Sequence, residues 1–360
     1  MKTNQKQNQT QDKTQKQNTR RTGGRKLLGQ NSLTVIGVVV AYIVIAALLY
    51  SGNVSRQVAA MLIPVSCYIV LAVSLNLVVG LLGELSLGHA GFMAVGIFTG
   101  CLFSIATVSL PMAIRLPLSM LIGGICAAAV GFVVGLPALR LKGDYLAIVT
   151  LACGEIIKTV ILNLDVTGGA LGLNTQPIYS SAYDLLPYAA LMVLLTVVAV
   201  MNLKKSRHGR AIMAIRDNRI AAESTGINVT YYKLMVFVLA AFLAGAVGVL
   251  YGHTLAVVSP TGFDYNMSIE ILVIVVLGGM GNITGSIIAA VILRVLPEAL
   301  RGLDDFRMLI YSLLLITIML LNANPKFAAL KGQWSVKNFI KFLKHNKKKE
   351  QTNAKGGTAE

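Results

Sequence analysis

Glu155 and Lys158 lie inside an otherwise apolar run, three positions apart. On a helix they share one face and can neutralise each other. A charge at mid-bilayer costs on the order of 2.5–3.5 kcal/mol, so it needs a reason, either an ion path or a structural pair. Glu84 and His89, five residues apart, allow a proton relay or a turn carrying polar side chains. Glu270 sits near the end of its own run and can be wetted there. Asp144, after Gly143, can serve a helix N-terminus without further function. Other chemistry is scarce. Nothing matches GxxxxGK[ST], HExxH or GxSxG, and there is no Cys/His cluster. Cys67, Cys101, Cys126 and Cys153 each lie in apolar surroundings without a CxxC, as small buried hydrophobes do. The sequence therefore predicts no catalytic residue, no metal and no cofactor of its own. If the chain transports a solute actively, the energy must come from an ion gradient or from a partner chain.

The elements that position these residues are membrane spans. Of 360 residues 55% are hydrophobic and 13% charged, with mean hydropathy +0.69. Soluble domains carry about a quarter charged residues. Apolar runs predict about ten transmembrane helices, some short or broken, at 33–50, 58–82, 90–107, 116–139, 145–164, 185–203, 234–252, 268–277, 283–298 and 308–322. Residues 1–30, rich in Gln, Asn, Lys and Thr, predict a disordered basic tail. Residues 326–360 predict a second basic tail, and 31–325 the transmembrane domain. The net charge of +17 invites a nucleic-acid reading. Its placement argues instead for retention beside membrane lipid on the cytoplasmic face, and against nucleic acid. Ten spans with both termini inside put 26 of the 32 Lys/Arg on one face and four on the other. Eight spans and two re-entrant segments give nearly the same bias.

Two glycine-rich breaks interrupt the spans, one in each half. The first is Gly80-Leu81-Leu82-Gly83-Glu84-Leu85-Ser86-Leu87-Gly88-His89-Ala90-Gly91, preceded by Asn76. The second is Gly278-Gly279-Met280-Gly281-Asn282-Ile283-Thr284-Gly285-Ser286. Paired breaks of this kind point to a substrate path, and also suit close helix packing through small residues. Asn76, Glu84, Ser86, His89, Glu155, Gly279 and Asn282 are the candidate path residues.

The longest charged interruption, residues 204–233, holds seven Lys/Arg against two acids. Ala, Ile, Met and Arg dominate from Arg210 to Glu223, which predicts a helix ended by Gly226. The segment fits a solvated anchor, or a docking helix that presents Arg216, Asp217, Asn218 and Arg219 with the small Ala221 and Ala222.

Four ordered blocks carry a family resemblance. They are Asn76 to Gly80 with Glu84 to Phe92; Gly143-Asp144-Tyr145-Leu146 through Gly154-Glu155; Gly209-Arg210 through Ala221-Ala222-Glu223 to Gly226-Ile227; and Gly278-Gly279-Met280-Gly281-Asn282 with Gly285. Over about residues 33–325 the chain resembles the permease subunits of branched-chain amino-acid ABC importers. Gly168-Gly169 with Gly172-Leu173 resembles the outer loop of the M-type member of the permease pair.

The resemblance implies a multi-pass subunit of a prokaryotic cytoplasmic membrane. It implies a second, H-type permease subunit, two cytoplasmic ATPase subunits that bind the ATP, and an extracytoplasmic amino-acid-binding protein. Permeases for urea and short amides are very similar, and an ion-coupled secondary transporter is the alternative from another class. The basic segment then corresponds to the coupling segment of ABC importers, written EAA-x3-G. Ala221, Ala222 and Gly226 keep that spacing, with Arg216, Asp217 and Glu223 beside them as candidate ATPase-coupling residues. Ile220 stands where the leading Glu is usual, and the downstream Leu-Pro is absent.

Overall fold

In the computed structural model, residues 26–51, 55–141, 143–300, 312, 313 and 316 are described. The tenth expected span and the C-terminal tail lie almost entirely outside the described residues, as does most of the N-terminal tail.

Among the described residues the apolar runs are helical. In order the helices are α1 (Lys26–Tyr50), α2 (Arg56–Asn76), α3 (His89–Ala106), α4 (Met112–Ala138), α5 (Asp144–Leu162), α6 (Ala182–Lys205), α7 (Arg207–Asp217), α8 (Arg219–Ser224), α9 (Val229–Gly252), α10 (Tyr265–Gly278) and α11 (Ile283–Ala299). Helix α1 starts inside the stretch expected to be disordered. Among the described residues seven helices are long and apolar enough to cross a membrane, and a shorter apolar helix covers Thr34–Leu49. The chain is thus an all-α polytopic membrane protein.

The core is built by small residues. Helix α9 lies against α3 and α4 so closely that a Cβ at Gly96 would sit 2.2 Å from the Cα of Gly245. One at Gly131 would sit 2.6 Å from the Cβ of Ala241. Bilayer tails offer no hydrophobic drive between helices, so this backbone approach supplies the contact. Phe92 and Phe237 fill the neighbouring layer edge to face, with centroids 5.3 Å apart. The outward faces of α4 and α5, including Val133 and Ile148, remain exposed as lipid or a partner subunit requires.

At the end of the bundle where α6 begins, a two-residue antiparallel pair joins β1 (Leu173–Asn174) to β2 (Val257–Val258). His253 fixes this region by bonding the Ser104 hydroxyl at 3.0 Å and the Val249 carbonyl at 2.9 Å. Burial pushes the His253 imidazolium pKa down.

At the other end, three side-chain caps shape the basic segment. The Ser206 hydroxyl accepts from the Gly209 N–H at 3.1 Å and starts α7. The Asn218 carbonyl oxygen accepts from Ala221 N–H at 3.1 Å and starts α8. Asn228 does the same for Tyr231 at the start of α9. The single helix expected from Arg210 to Glu223 is therefore two helices. Asn218 turns extended, at φ −155° and ψ 104°, and caps the second. Gly226, at φ +81°, ends the segment as expected.

Candidate coupling segment and glycine junction

Helix α2 does not stop at Asn76. It widens into a π-helical turn over Leu77–Leu82 and ends at Gly83, whose φ is +78°. Helix α10 ends at Gly278, and Gly279 and Gly281 turn the chain into α11 with φ of +91° and +79°. The two breaks meet. A Cβ at Gly80 would lie 2.2 Å from the Gly281 nitrogen and 1.9 Å from the Asn76 side-chain oxygen. Asn76, 1% exposed, clamps them: its oxygen accepts from Gly281 N–H at 2.7 Å and its amide donates to the Ser286 hydroxyl at 2.8 Å. The second break also closes on itself, since a Cβ at Gly285 would sit 1.8 Å from the Gly278 carbonyl oxygen.

A helix end leaves carbonyls without intrahelical partners and concentrates negative partial charge there. Arg216 meets that charge at the end of the π-helical turn, and Lys204 meets a carbonyl of the turn between α10 and α11. Arg216 donates to the Gly80 carbonyl at 3.1 Å. Lys204, in the last turn of α6, donates to the Gly281 carbonyl at 2.7 Å. The Asp217 carboxylate accepts two further bonds from Arg216, at 2.9 and 3.1 Å, and orients its guanidinium. Gly83 is where that side chain passes, because a Cβ there would lie 2.6 Å from the Arg216 Cγ. Lys233, 3% exposed, pairs with Glu84 within the first break. Three of the seven cations in the segment thus face inward onto the glycine breaks, which a solvated anchor does not require.

The remaining expected residues are placed as follows. Ala222 is buried, whereas Ala221, Glu223 and Gly226 face outward. Arg219 pairs with Glu223 at 2.9 Å, and Ile220 is 76% exposed between them. Glu84 and His89 bond different partners, so no relay joins them: the His89 ring bonds the Ser74 hydroxyl at 2.7 Å. Ser86 is buried, and its hydroxyl has no partner among the described residues. Gly279 is half-buried and Asn282 exposed, with its side-chain oxygen accepting from Gly285 N–H at 3.2 Å. Glu155 pairs with Lys158 and also accepts from the Tyr265 N–H at 2.9 Å, tying α5 to the N-terminus of α10. Sequence reasoning missed the inward roles of Lys204 and Lys233. It also missed that Glu270 faces Arg294. Both residues are charges in apolar helices, and that was the available signal.

The family described as "Branched-chain amino acid transport system / permease component" matches residues 57–323. The high-affinity branched-chain amino acid transport system permease protein LivM of Salmonella typhimurium is 37% identical over 284 residues, 70% of this chain and 66% of that protein. Its namesake in Escherichia coli K12 is 35% identical over 302 residues, 75% of this chain and 70% of that protein. The ribose import permease protein RbsC of Haemophilus influenzae is 28% identical over 284 residues, 71% of this chain and 81% of that protein. The chain thus spans about two thirds of the length of its LivM relatives. No solved structure matches it.

Proposed function

Because the chain belongs to the family of branched-chain amino acid transport permease components, we propose that it is the membrane path of an ATP-driven importer for Leu, Ile and Val. In this reading its partners are a second permease subunit (LivH-type), two cytoplasmic ATPase subunits and an extracytoplasmic amino-acid-binding protein. It binds no cofactor itself, and the ATPases bind and hydrolyse the ATP. The site is the cytoplasmic membrane of a prokaryote, with both termini inside, ten spans and basic tails at 1–30 and 326–360.

The observation that carries the mechanism is the double attachment of the basic segment to the glycine junction, through Arg216 on Gly80 and Lys204 on Gly281. A force on α7 reaches the end of α2 through the Arg216 bond, and Lys204, in the last turn of α6 beside α7, ties the turn between α10 and α11 to the same segment. ATPase closure moves the segment, the junction follows, and the broken helices open the path first to one side and then to the other. Of the candidate path residues, Asn76, Gly279 and Asn282 lie at that junction, and Glu84, Ser86 and His89 lie on the chain that leads from Gly83 into α3. Glu155 lies apart from the junction on α5, where it holds the opposite end of α10.

Co-expression with ATPase and binding-protein subunits, followed by labelled-leucine uptake, tests this reading. Leucine uptake that needs ATP and resists urea and ribose is expected. Uptake blocked by urea or ribose gives the path another substrate, and uptake that survives ATP depletion makes the protein an ion-coupled carrier. The exposed Ile220 supplies a second expectation. In this reading it enters an apolar pocket on the ATPase, so Ile220→Glu is expected to lower ATPase co-purification by about tenfold. The permease itself stays folded, because the side chain touches solvent. Equal co-purification would remove Ile220 from the interface.

A further inference from the structure

Glu270 of α10 and Arg294 of α11 face each other at 3.7 Å, each about one third exposed. The Tyr68 hydroxyl of α2 donates to Glu270 at 3.2 Å, and the Tyr68 ring lies 4.4 Å under the Arg294 guanidinium. The separation exceeds a hydrogen bond, so the fork of donors and the carboxylate are held in line without being consumed by each other. Such groups do not face hydrocarbon; their exposed sides border a wet path or another protein. Two of the three supporting helices, α2 and α10, are those that end at the glycine junction. The path is therefore the setting that fits.

We propose that Tyr68, Glu270 and Arg294 form a site for the zwitterionic head of an α-amino acid within the membrane. The substrate carboxylate takes the fork of Arg294, and its ammonium group takes Glu270. Tyr68 fixes both protein groups beforehand, so little ordering remains to be done on binding. A neutral amide or a sugar satisfies neither charge. The assignment rests on the amino-acid reading above.

The test uses the complete complex in proteoliposomes with its ATPase and binding-protein subunits. Glu270→Gln/Arg294→Gln removes both charges and leaves a neutral amide at each position, and Arg294→Lys keeps the charge but loses the fork. The double variant is expected to assemble at the wild-type level with leucine uptake lowered at least about tenfold. Arg294→Lys is expected to raise the leucine KM by a similar factor. A purely structural ion pair predicts wild-type uptake in the double variant, and that result overturns the site. Should the double variant not assemble, Arg294→Lys decides: an unchanged KM overturns the site, and a raised KM supports it. A wild-type complex that imports ribose or urea but no leucine overturns the amino-acid reading and the site together. A wild-type complex that imports leucine, beside a double variant that does so equally well, overturns the site alone.

Discussion

Gly80→Val is expected to leave almost no folded permease in a detergent extract of membranes. The new Cβ would stand 1.9 Å from the Asn76 oxygen and 2.2 Å from the Gly281 nitrogen. Neither neighbour yields easily. Asn76 holds Gly281 and Ser286, and the carbonyl of Gly80 is held by Arg216. Overpacking alone costs about 1–3 kcal/mol. Displacing Asn76 also leaves a buried amide N–H unbonded, for about 1–3 kcal/mol more. Gly37→Val is the control, because a Cβ there meets nothing within 4 Å. Size-exclusion profiles of the two variants check the prediction. Equal monodisperse peaks would mean that the two breaks do not lie backbone to backbone.

Lys233→Met is the second large effect. Lys233 is 3% exposed, and its partner Glu84 has a side chain 16% exposed. Removing one member of a buried pair strands the other charge, at a cost of about 3–5 kcal/mol. Removing both with side chains of similar volume is often near neutral. Thermal unfolding of the purified protein should therefore show Lys233→Met far below wild type and Glu84→Gln/Lys233→Met close to it. A double variant as unstable as the single one would assign the loss to the packing of the Lys233 stem rather than to its charge.

Much of the scaffold was legible before any coordinates. The long charge-poor runs of α2, α4, α6 and α9 are what a bilayer demands, although α4 and α9 begin at Met112 and Val229, ahead of the expected 116 and 234. Gly226 as a stop and the two glycine breaks were equally readable. The split at Asn218 was not, because Asn is tolerated within a helix as well as at its cap, and only the extended backbone decides. Nor was the fate of the cations. Counting Lys204, Arg216 and Lys233 as loop charge gives the sidedness argument but assumes they are solvated. Their inward bonds depend on residues far away in the chain, such as Gly281, Gly80 and Glu84. The meeting of the breaks at Gly80 and Gly281 is likewise a tertiary fact. Each break alone reads as a local interruption, and pairing them needs the packing of α2 against α10. Glu155 shows the reverse case. Its spacing to Lys158 predicted the ion pair correctly, but not the bond to the start of α10.

In the proposed mechanism the basic segment moves the glycine junction through Arg216 and Lys204. The most direct test is the number of leucine molecules imported per ATP hydrolysed by the reconstituted complex carrying Lys204→Met/Arg216→Met. Each charge-assisted bond is worth about 1.5–3 kcal/mol, so losing both should lower that ratio by at least about tenfold. ATPase activity and subunit assembly should stay near wild type, since the outward face of α8 is untouched. An unchanged ratio in an assembled, hydrolysing complex would contradict the claim.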